Sequence, residues 1–112
     1  MSKFYHSKSW SRKRQYILRR DNYLCQECKR HGKTTEAKVV HHIFPLDTNP
    51  EYKLLNENLI SVCHPCHNSY HNRFNNAELT AIGLQLKRRK EPDILYAKRQ
   101  LVNRFNLSAR HP

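Results

Sequence analysis

Residues 25–28 read Cys-Gln-Glu-Cys and residues 63–66 read Cys-His-Pro-Cys, and these two stretches decide the fold of the chain. The pairs are separated by 34 residues, a pattern typical of a site in which four thiolates bind one zinc ion. A chain of 112 residues with few aliphatic side chains buries only a modest core. Structural zinc, which contributes on the order of 10 kcal/mol to folding, supplies the missing stability.

Two disulfide bonds are the alternative for these cysteines, because disulfides are typical of small secreted proteins. Residues 1–20 contain no continuous apolar stretch, so we expect no signal peptide there. No apolar run approaches the roughly 20 residues of a membrane-spanning helix. We therefore predict an intracellular, non-membrane protein in which one zinc ion is bound by Cys25, Cys28, Cys63 and Cys66.

The chain is strongly basic, with 21 Lys and Arg against 9 Asp and Glu and a net charge of +12. Residues 1–20 carry +7, residues 21–72 carry −1, and residues 73–112 carry +6. A nearly neutral centre between two basic arms suits a protein that grips nucleic-acid phosphates on either side of its site, although a solubilising surface is the alternative for any single cation. The predicted phosphate contacts are Arg12, Lys13, Arg14, Lys87, Arg88, Arg89 and Lys90.

The first two thirds of the chain contain one helix pattern and two strand patterns. An amphipathic helix capped by Ser7 or Ser9 is predicted over residues 10–20, and the first cysteine pair follows it in a loop. Residues 38–43 and 59–62 have the β-branched content of strands. The predicted buried face of the helix consists of Trp10, Ile17 and Leu18.

Two further helices are predicted near the C-terminus. A capping box formed by Asn75 and Glu78 is expected to open the first, in which Gly83 is a weak point. Pro92 is expected to open the second. The predicted buried face of the first helix consists of Leu79, Ile82 and Leu86, and that of the second consists of Ile94, Leu101 and Phe105.

Five of the eight histidines lie between positions 41 and 71. The second cysteine pair is expected to open a helix that continues to about residue 73, on which His67 and His71 share one face. His41 and His42 are adjacent on the first strand, so their side chains point to opposite sides or splay at its end. One of them can join a metal ion while the other takes the proton of an attacking water, which is what metal-assisted hydrolysis of a phosphodiester requires. We predict a metal centre separate from the zinc site.

The order of these motifs resembles that of the HNH endonucleases, which share the ββα-metal fold. The matching elements are Cys25-x-x-Cys28, His41-His42-Ile43, Asn58-Leu59 and Cys63-x-x-Cys66-His67. The N-terminal residues are similar to those of a bacteriophage-encoded subgroup, often found near the DNA-packaging terminase genes: Phe4-Tyr5, Ser7, Trp10, Arg14, Leu18, Arg20-Asp21 and Cys25. The resemblance covers roughly residues 4–72.

The resemblance implies a small α+β fold: a zinc-stapled, treble-clef-like ββα-metal core with flanking helices. We expect one nuclease domain over residues 1–112. It would consist of a basic N-terminal helix or arm over residues 1–20, the core over residues 21–72 and basic C-terminal helices over residues 73–112.

The resemblance also implies roles for individual residues. His42 corresponds to the general base, and Asn58 to the residue whose side chain fixes the loop between the strands or, in some members, approaches the metal. His41 stands where many relatives have an aspartate as the first metal ligand. His67 corresponds to the last ligand of the motif, and His71 to an extra ligand that toxin-type members use one helical turn later.

The expected cofactors are structural Zn²⁺ and a catalytic divalent ion. Three imidazoles suit Mn²⁺, Ni²⁺, Co²⁺ or Zn²⁺ better than Mg²⁺, which prefers oxygen ligands. The expected substrate is double-stranded DNA, cut by a nick or a double-strand break in the cytoplasm of a bacterial host by a monomer or a homodimer. Phage terminase or packaging proteins are candidate partners. The rival hypothesis is a non-catalytic zinc module that binds nucleic acid.

Overall fold

A two-stranded antiparallel sheet and four helices make up the part of the chain that the computed structural model describes, residues 3–72 and 78–110, with side chains described as far as residue 104. The helices are α1 (Lys8–Arg20), α2 (Gln26–Arg30), α3 (His64–Tyr70) and α4 (Ala81–Arg110), and the strands are β1 (Val39–His42) and β2 (Leu59–Val62). Short 3-10 turns lie at Lys3–His6, Pro50–Tyr52 and Asn56–Asn58. None of the described helices combines the length and the apolar composition that a bilayer crossing requires.

Helix α1 has the cap and the apolar face that the sequence predicts. The Ser7 hydroxyl accepts a hydrogen bond from the Trp10 N–H (3.1 Å), so Ser7 is the cap and the helix begins at Lys8. The buried residues of the helix are Trp10, Ile17 and Leu18. They form one core cluster with Val40 of β1 and Leu59 of β2, which holds α1 against one side of the sheet.

The two strands lie within the predicted stretches and carry different chemistry on their two sides. The register pairs His41 with Ile60 and His42 with Leu59. The α1 cluster covers one side of the sheet, and a second core cluster, which includes Tyr70 of α3, covers the other. Because successive side chains of a strand alternate, His41 faces the α3 side and His42 faces the α1 side.

The first cysteine pair lies in a helix, and the prediction of a loop was wrong. The Cys25 sulfur accepts a hydrogen bond from the Cys28 N–H (3.4 Å), so Cys25 caps α2 and Cys28 lies inside it. The Cys25 sulfur is thus the hydrogen-bond acceptor at the helix N-terminus, where a serine or aspartate oxygen is more common. Helix α2 therefore presents both sulfurs on one turn.

Helix α3 ends earlier than its sequence pattern indicates, because the chain turns back on itself after Tyr70. The Thr80 N–H donates a hydrogen bond to the Tyr70 carbonyl (2.9 Å). His71 has an extended backbone (φ −111°, ψ 145°) and forms an isolated antiparallel bridge with the half-buried Leu79. These contacts compete with continuation of the helix, so the prediction that His71 stands on the helix face was wrong.

Helix α4 runs without interruption from Ala81 through Pro92, and the prediction of a new helix at Pro92 was wrong. Pro92 is exposed. The carbonyl whose hydrogen bond it removes therefore lies on the solvent side, where water can replace the lost donor. Of the predicted capping box, Glu78 precedes α4 and Asn75 lies outside the described residues.

The packing of α4 decides which of its predicted apolar residues are buried. Leu86 and Ile94 are buried, as predicted. Ile82 and Leu101 are 50% and 52% exposed, so their predicted burial was wrong. Ile82 lies off the buried stripe, and Leu101 follows Ile94, which is the last buried residue among the described side chains of α4. The side chain of Phe105 lies outside the described residues.

Candidate metal centres and active site

Four cysteine sulfurs converge where α2 meets the start of α3. The Cys28 sulfur lies 3.9 Å from that of Cys63 and 3.8 Å from that of Cys66, and all four sulfurs, including that of Cys25, lie within 4.8 Å of one another. With Zn–S bonds of about 2.3 Å, a tetrahedral ion places its sulfurs about 3.8 Å apart. The four residues are free cysteines. The set therefore fits a single zinc ion and would join two distant segments of the chain.

Two of the four thiols resist ionisation unless positive charge lies beside them. Burial raises the pKa of the Cys25 thiol and of the Cys66 thiol. Zinc binds the thiolate form, so the deprotonated state of these residues depends on positive charge brought into the cluster. A bound divalent ion supplies that charge directly.

Three histidines converge on the α3 side of the sheet. The candidate ligand nitrogens of His41, His67 and His71 lie within 4.8 Å of one another. The ring centroids of His67 and His71 are 4.8 Å apart, and that of His41 lies 5.4 Å and 5.1 Å from them, respectively. Although His71 has left the helix, the turn after Tyr70 keeps its ring beside that of His67. The three rings are close enough to bind one ion.

The His41 ring carries an unpaired polar atom. Among the described residues, Nε2 of His41 is the one buried side-chain nitrogen or oxygen atom without a hydrogen-bond partner. An unpaired buried polar atom costs about 1–3 kcal/mol, a cost that a bound metal ion removes. Burial and the neighbouring histidines lower the pKa of His41 well below its usual value and that of His67 to about 4. Both rings are therefore neutral at pH 7, which is the form that binds metals.

His42 lies on the other side of β1, in an aromatic pocket. Its ring stacks on Trp10 at 5.0 Å and lies 5.9 Å and 6.0 Å from the rings of Phe4 and Tyr5. Its Nε2 lies 3.0 Å from the Lys53 carbonyl oxygen. Because a carbonyl only accepts, Nε2 carries the proton, and Nδ1 of the neutral ring keeps its lone pair. Burial lowers the pKa of His42, which keeps the ring neutral.

Asn58 closes the loop that provides this carbonyl. Its side chain is fully buried. The Oδ1 atom accepts a hydrogen bond from the Phe44 N–H (2.7 Å), and Nδ2 donates to the carbonyls of Phe44 (3.2 Å) and Tyr52 (3.3 Å). The loop between β1 and β2 is thereby fixed on both sides of the segment that leads to Lys53. Asn58 and His42 are thus bonded to the backbone of the same loop.

Comparison with known proteins identifies the family. The family model described as HNH endonuclease matches residues 25–73. The chain is also similar to the HNH endonuclease of the deep-sea thermophilic bacteriophage GVE2, whose crystal structure contains a manganese ion. The two sequences are 48% identical, and the structures superpose with a TM-score of 0.57. The match covers 58% of this chain and 71% of the phage protein chain. This chain belongs to the HNH endonuclease family. It is a metal-dependent nuclease with an α+β fold, and DNA is its substrate class. No curated protein sequence matches the chain significantly.

Two buried residues of this HNH endonuclease escaped the sequence analysis. Tyr70 is fully buried, and its hydroxyl donates to the Glu27 carboxylate (2.9 Å). Burial opposes the ionisation of Glu27, but hydrogen bonds from Tyr70 and Arg30 outweigh it and lower the pKa of that carboxyl. A signal was present in the sequence, since Glu27 stands inside the first cysteine pair and Tyr70 stands between His67 and His71.

The cations that the sequence assigns to phosphate lie on two helices of the endonuclease. They are Arg12, Lys13 and Arg14 on α1 and Lys87, Arg88, Arg89 and Lys90 on α4. Arg12 and Arg88 are exposed. Arg14 donates to a backbone carbonyl (3.1 Å), and Arg89 lies 3.6 Å from Glu27. Arg14 and Arg89, which is also exposed, therefore make contacts within the fold as well.

Proposed function

We propose that this HNH endonuclease hydrolyses phosphodiester bonds of double-stranded DNA, with His42 as the general base and a divalent ion held by His41, His67 and His71. One observation carries the proposal. The Lys53 carbonyl fixes the proton of His42 on Nε2, and the adjacent residue on the same strand belongs to a cluster of three histidines. His41 and His42 are the last two residues of β1, so a phosphate at that end of the strand could contact both the base and an ion held by the histidines.

In the proposed reaction, Nδ1 of His42 accepts the proton of the attacking water. The ring becomes positively charged, and the Lys53 carbonyl oxygen, already bonded to Nε2–H, stabilises that charge. Trp10 stacks on the ring and limits its rotation. His42 therefore needs no movement between its resting and protonated forms, which is the benefit of a preorganised base.

The residues that would hold the catalytic ion are His41, His67 and His71. When bound, a divalent ion supplies positive charge to the scissile phosphate and the departing 3′ oxygen. An all-imidazole set favours Mn²⁺, Ni²⁺ or Co²⁺ over Mg²⁺. The related phage enzyme was crystallised with manganese, which supports Mn²⁺ as the first ion to test. We assign a structural Zn²⁺ to the four cysteines.

A plasmid-nicking assay tests this proposal. The wild-type protein with Mn²⁺ is expected to cut supercoiled plasmid, and His42→Ala is expected to bind DNA normally while its nicking rate falls by about 10²–10⁴-fold, the usual contribution of general-base catalysis. His41→Ala is expected to lose both nicking and Mn²⁺ binding. If wild type and His42→Ala bind DNA equally and neither cuts with any divalent ion, the protein is a zinc-containing DNA-binding module.

The two basic ends are proposed to hold the DNA backbone on either side of this site, within one domain over residues 1–112. Exposed cations of this kind position a protein on DNA without reading its sequence. Replacing Arg12 or Arg88 with alanine is expected to weaken DNA binding and to reduce the slope of log K against log[salt] by about 1 for each phosphate interaction removed. The exposed Lys33, in the neutral centre, provides the control substitution.

We also propose that the enzyme acts in the cytoplasm of a bacterial host, together with phage DNA-packaging proteins. The similarity to a phage endonuclease supports this assignment. Adding the endonuclease to a purified terminase is expected to raise cleavage of the phage DNA, whereas adding His42→Ala is not. Equal stimulation by both proteins would show that any partnership does not use the nuclease site.

A further inference from the structure

Tyr70 is in contact with the histidine cluster as well as with Glu27. Its ring centroid lies 4.8 Å from that of His41, at an interplanar angle of 38°. Nε2 of His41 has no hydrogen bond to orient the ring. The Tyr70 ring therefore supplies a packing surface that limits how His41 can turn. Tyr70 also directly precedes His71 in the chain.

Glu27 anchors the far end of Tyr70 on the zinc side. It stands between Cys25 and Cys28, and only 9% of its surface is exposed. Its carboxylate accepts the Tyr70 hydroxyl at 2.9 Å and the Arg30 guanidinium at 2.8 Å. The position of the Tyr70 ring is thus tied to the helix that carries two of the zinc ligands.

Helix α4 contacts both members of this pair, although it lies outside the segment that the family model matches. Thr80, immediately before the helix, donates its N–H to the Tyr70 carbonyl. A β-carbon at Gly83 would collide with the same carbonyl oxygen, so glycine is what permits this close approach. Arg89 lies 3.6 Å from the Glu27 carboxylate. The C-terminal helix therefore packs against both members of the pair.

We infer that Tyr70 and Glu27 are positioning residues that transmit the geometry of the four-cysteine site to the metal ligand His41. The inference rests on the proposed function, since it takes His41 as a ligand of the catalytic ion. Neither residue touches the substrate in this scheme. Their role is to hold the His41 ring in the orientation that binds the ion, in the way that outer-shell partners commonly orient metal-binding histidines.

Mn²⁺ affinity of the zinc-loaded, full-length protein tests this inference, and it does not depend on cleavage. Tyr70→Phe keeps the ring and removes the hydroxyl. It is expected to weaken Mn²⁺ binding by about 10-fold, the lower end of the range for outer-shell substitutions, and to alter the absorption spectrum of Co²⁺ bound at the histidines. The zinc content should remain one ion per chain. Tyr52→Phe, a buried tyrosine packed on Phe44, is the control and is expected to bind Mn²⁺ as the wild type does.

The outcomes separate this inference from the proposed function. Wild-type Mn²⁺ affinity and an unchanged Co²⁺ spectrum in Tyr70→Phe would overturn the inference, even if the variant unfolds at a lower temperature. Wild-type Mn²⁺ affinity in His41→Ala would instead overturn the proposed metal site. If Tyr70→Phe does not fold, Glu27→Gln replaces it. This variant keeps an acceptor oxygen without the charge, so a smaller loss of affinity supports the inference and no loss refutes it.

Discussion

Replacing Asn58 with alanine is expected to destabilise the fold and slow catalysis together. The side chain makes three hydrogen bonds to the backbone of the loop between β1 and β2. Each is worth about 1 kcal/mol, and the buried Phe44 N–H left without an acceptor adds about 1–3 kcal/mol. We expect a loss of about 4–6 kcal/mol of unfolding free energy, a large share of the stability of a small domain.

Urea unfolding of the zinc-loaded protein, followed by the fluorescence of the single tryptophan, measures this loss. Trp10 is a suitable probe because it stacks on His42. The control is Asn49→Ala in the same loop, whose side chain bonds are exposed, and a change within about 0.5 kcal/mol is expected there. In the Asn58 variant, nicking at low temperature should also fall, because the carbonyl of Lys53 no longer holds His42. A loss below about 1 kcal/mol with full activity would refute the reasoning.

Three further predictions concern helix packing, pH and zinc. Gly83→Ala should lower the thermal unfolding temperature, because the collision with the Tyr70 carbonyl outweighs a gain of about 1 kcal/mol in helix propensity; a rise would contradict the packing described. Since burial lowers the pKa of His42, the base stays neutral below the ordinary value of about 6.5. The nicking rate should therefore fall only as the pH drops through this lowered pKa, and a midpoint above 6.5 would count against His42. Chelation of zinc should abolish the far-ultraviolet circular dichroism of the fold, and Zn²⁺ but not Mn²⁺ should restore it. A native spectrum without zinc would show that folding does not depend on zinc bound by the cysteines.

The sequence predicted those elements whose signals are local. The serine cap of α1 and its apolar spacing are confirmed, and both strands lie where β-branched residues cluster. The cysteine spacing correctly predicted that four sulfurs meet at one point. The convergence of His41, His67 and His71 was also expected, although for an incomplete reason, since the ring of His71 arrives from an extended segment.

The features that the sequence did not predict depend on contacts between distant segments. Helix α3 stops at Tyr70 because the Tyr70 carbonyl accepts a hydrogen bond from Thr80, which lies just before α4. Helix α4 passes through Pro92 because that residue is on the exposed side. Propensity marked Gly83 as a weak point, yet its missing side chain is what lets α4 approach α3. Such effects arise only when distant segments pack together, so no local sequence pattern predicts them.

His41 and His42 lie on opposite sides of β1, so the register of β1 against β2 decides which of them faces the metal-ligand cluster. A slip of one residue between β1 and β2 would put His42 among the candidate metal ligands and His41 in the pocket of Trp10. The alternation within Val39–His42 therefore decides which of the two histidines meets the metal-ligand cluster and which meets the aromatic pocket.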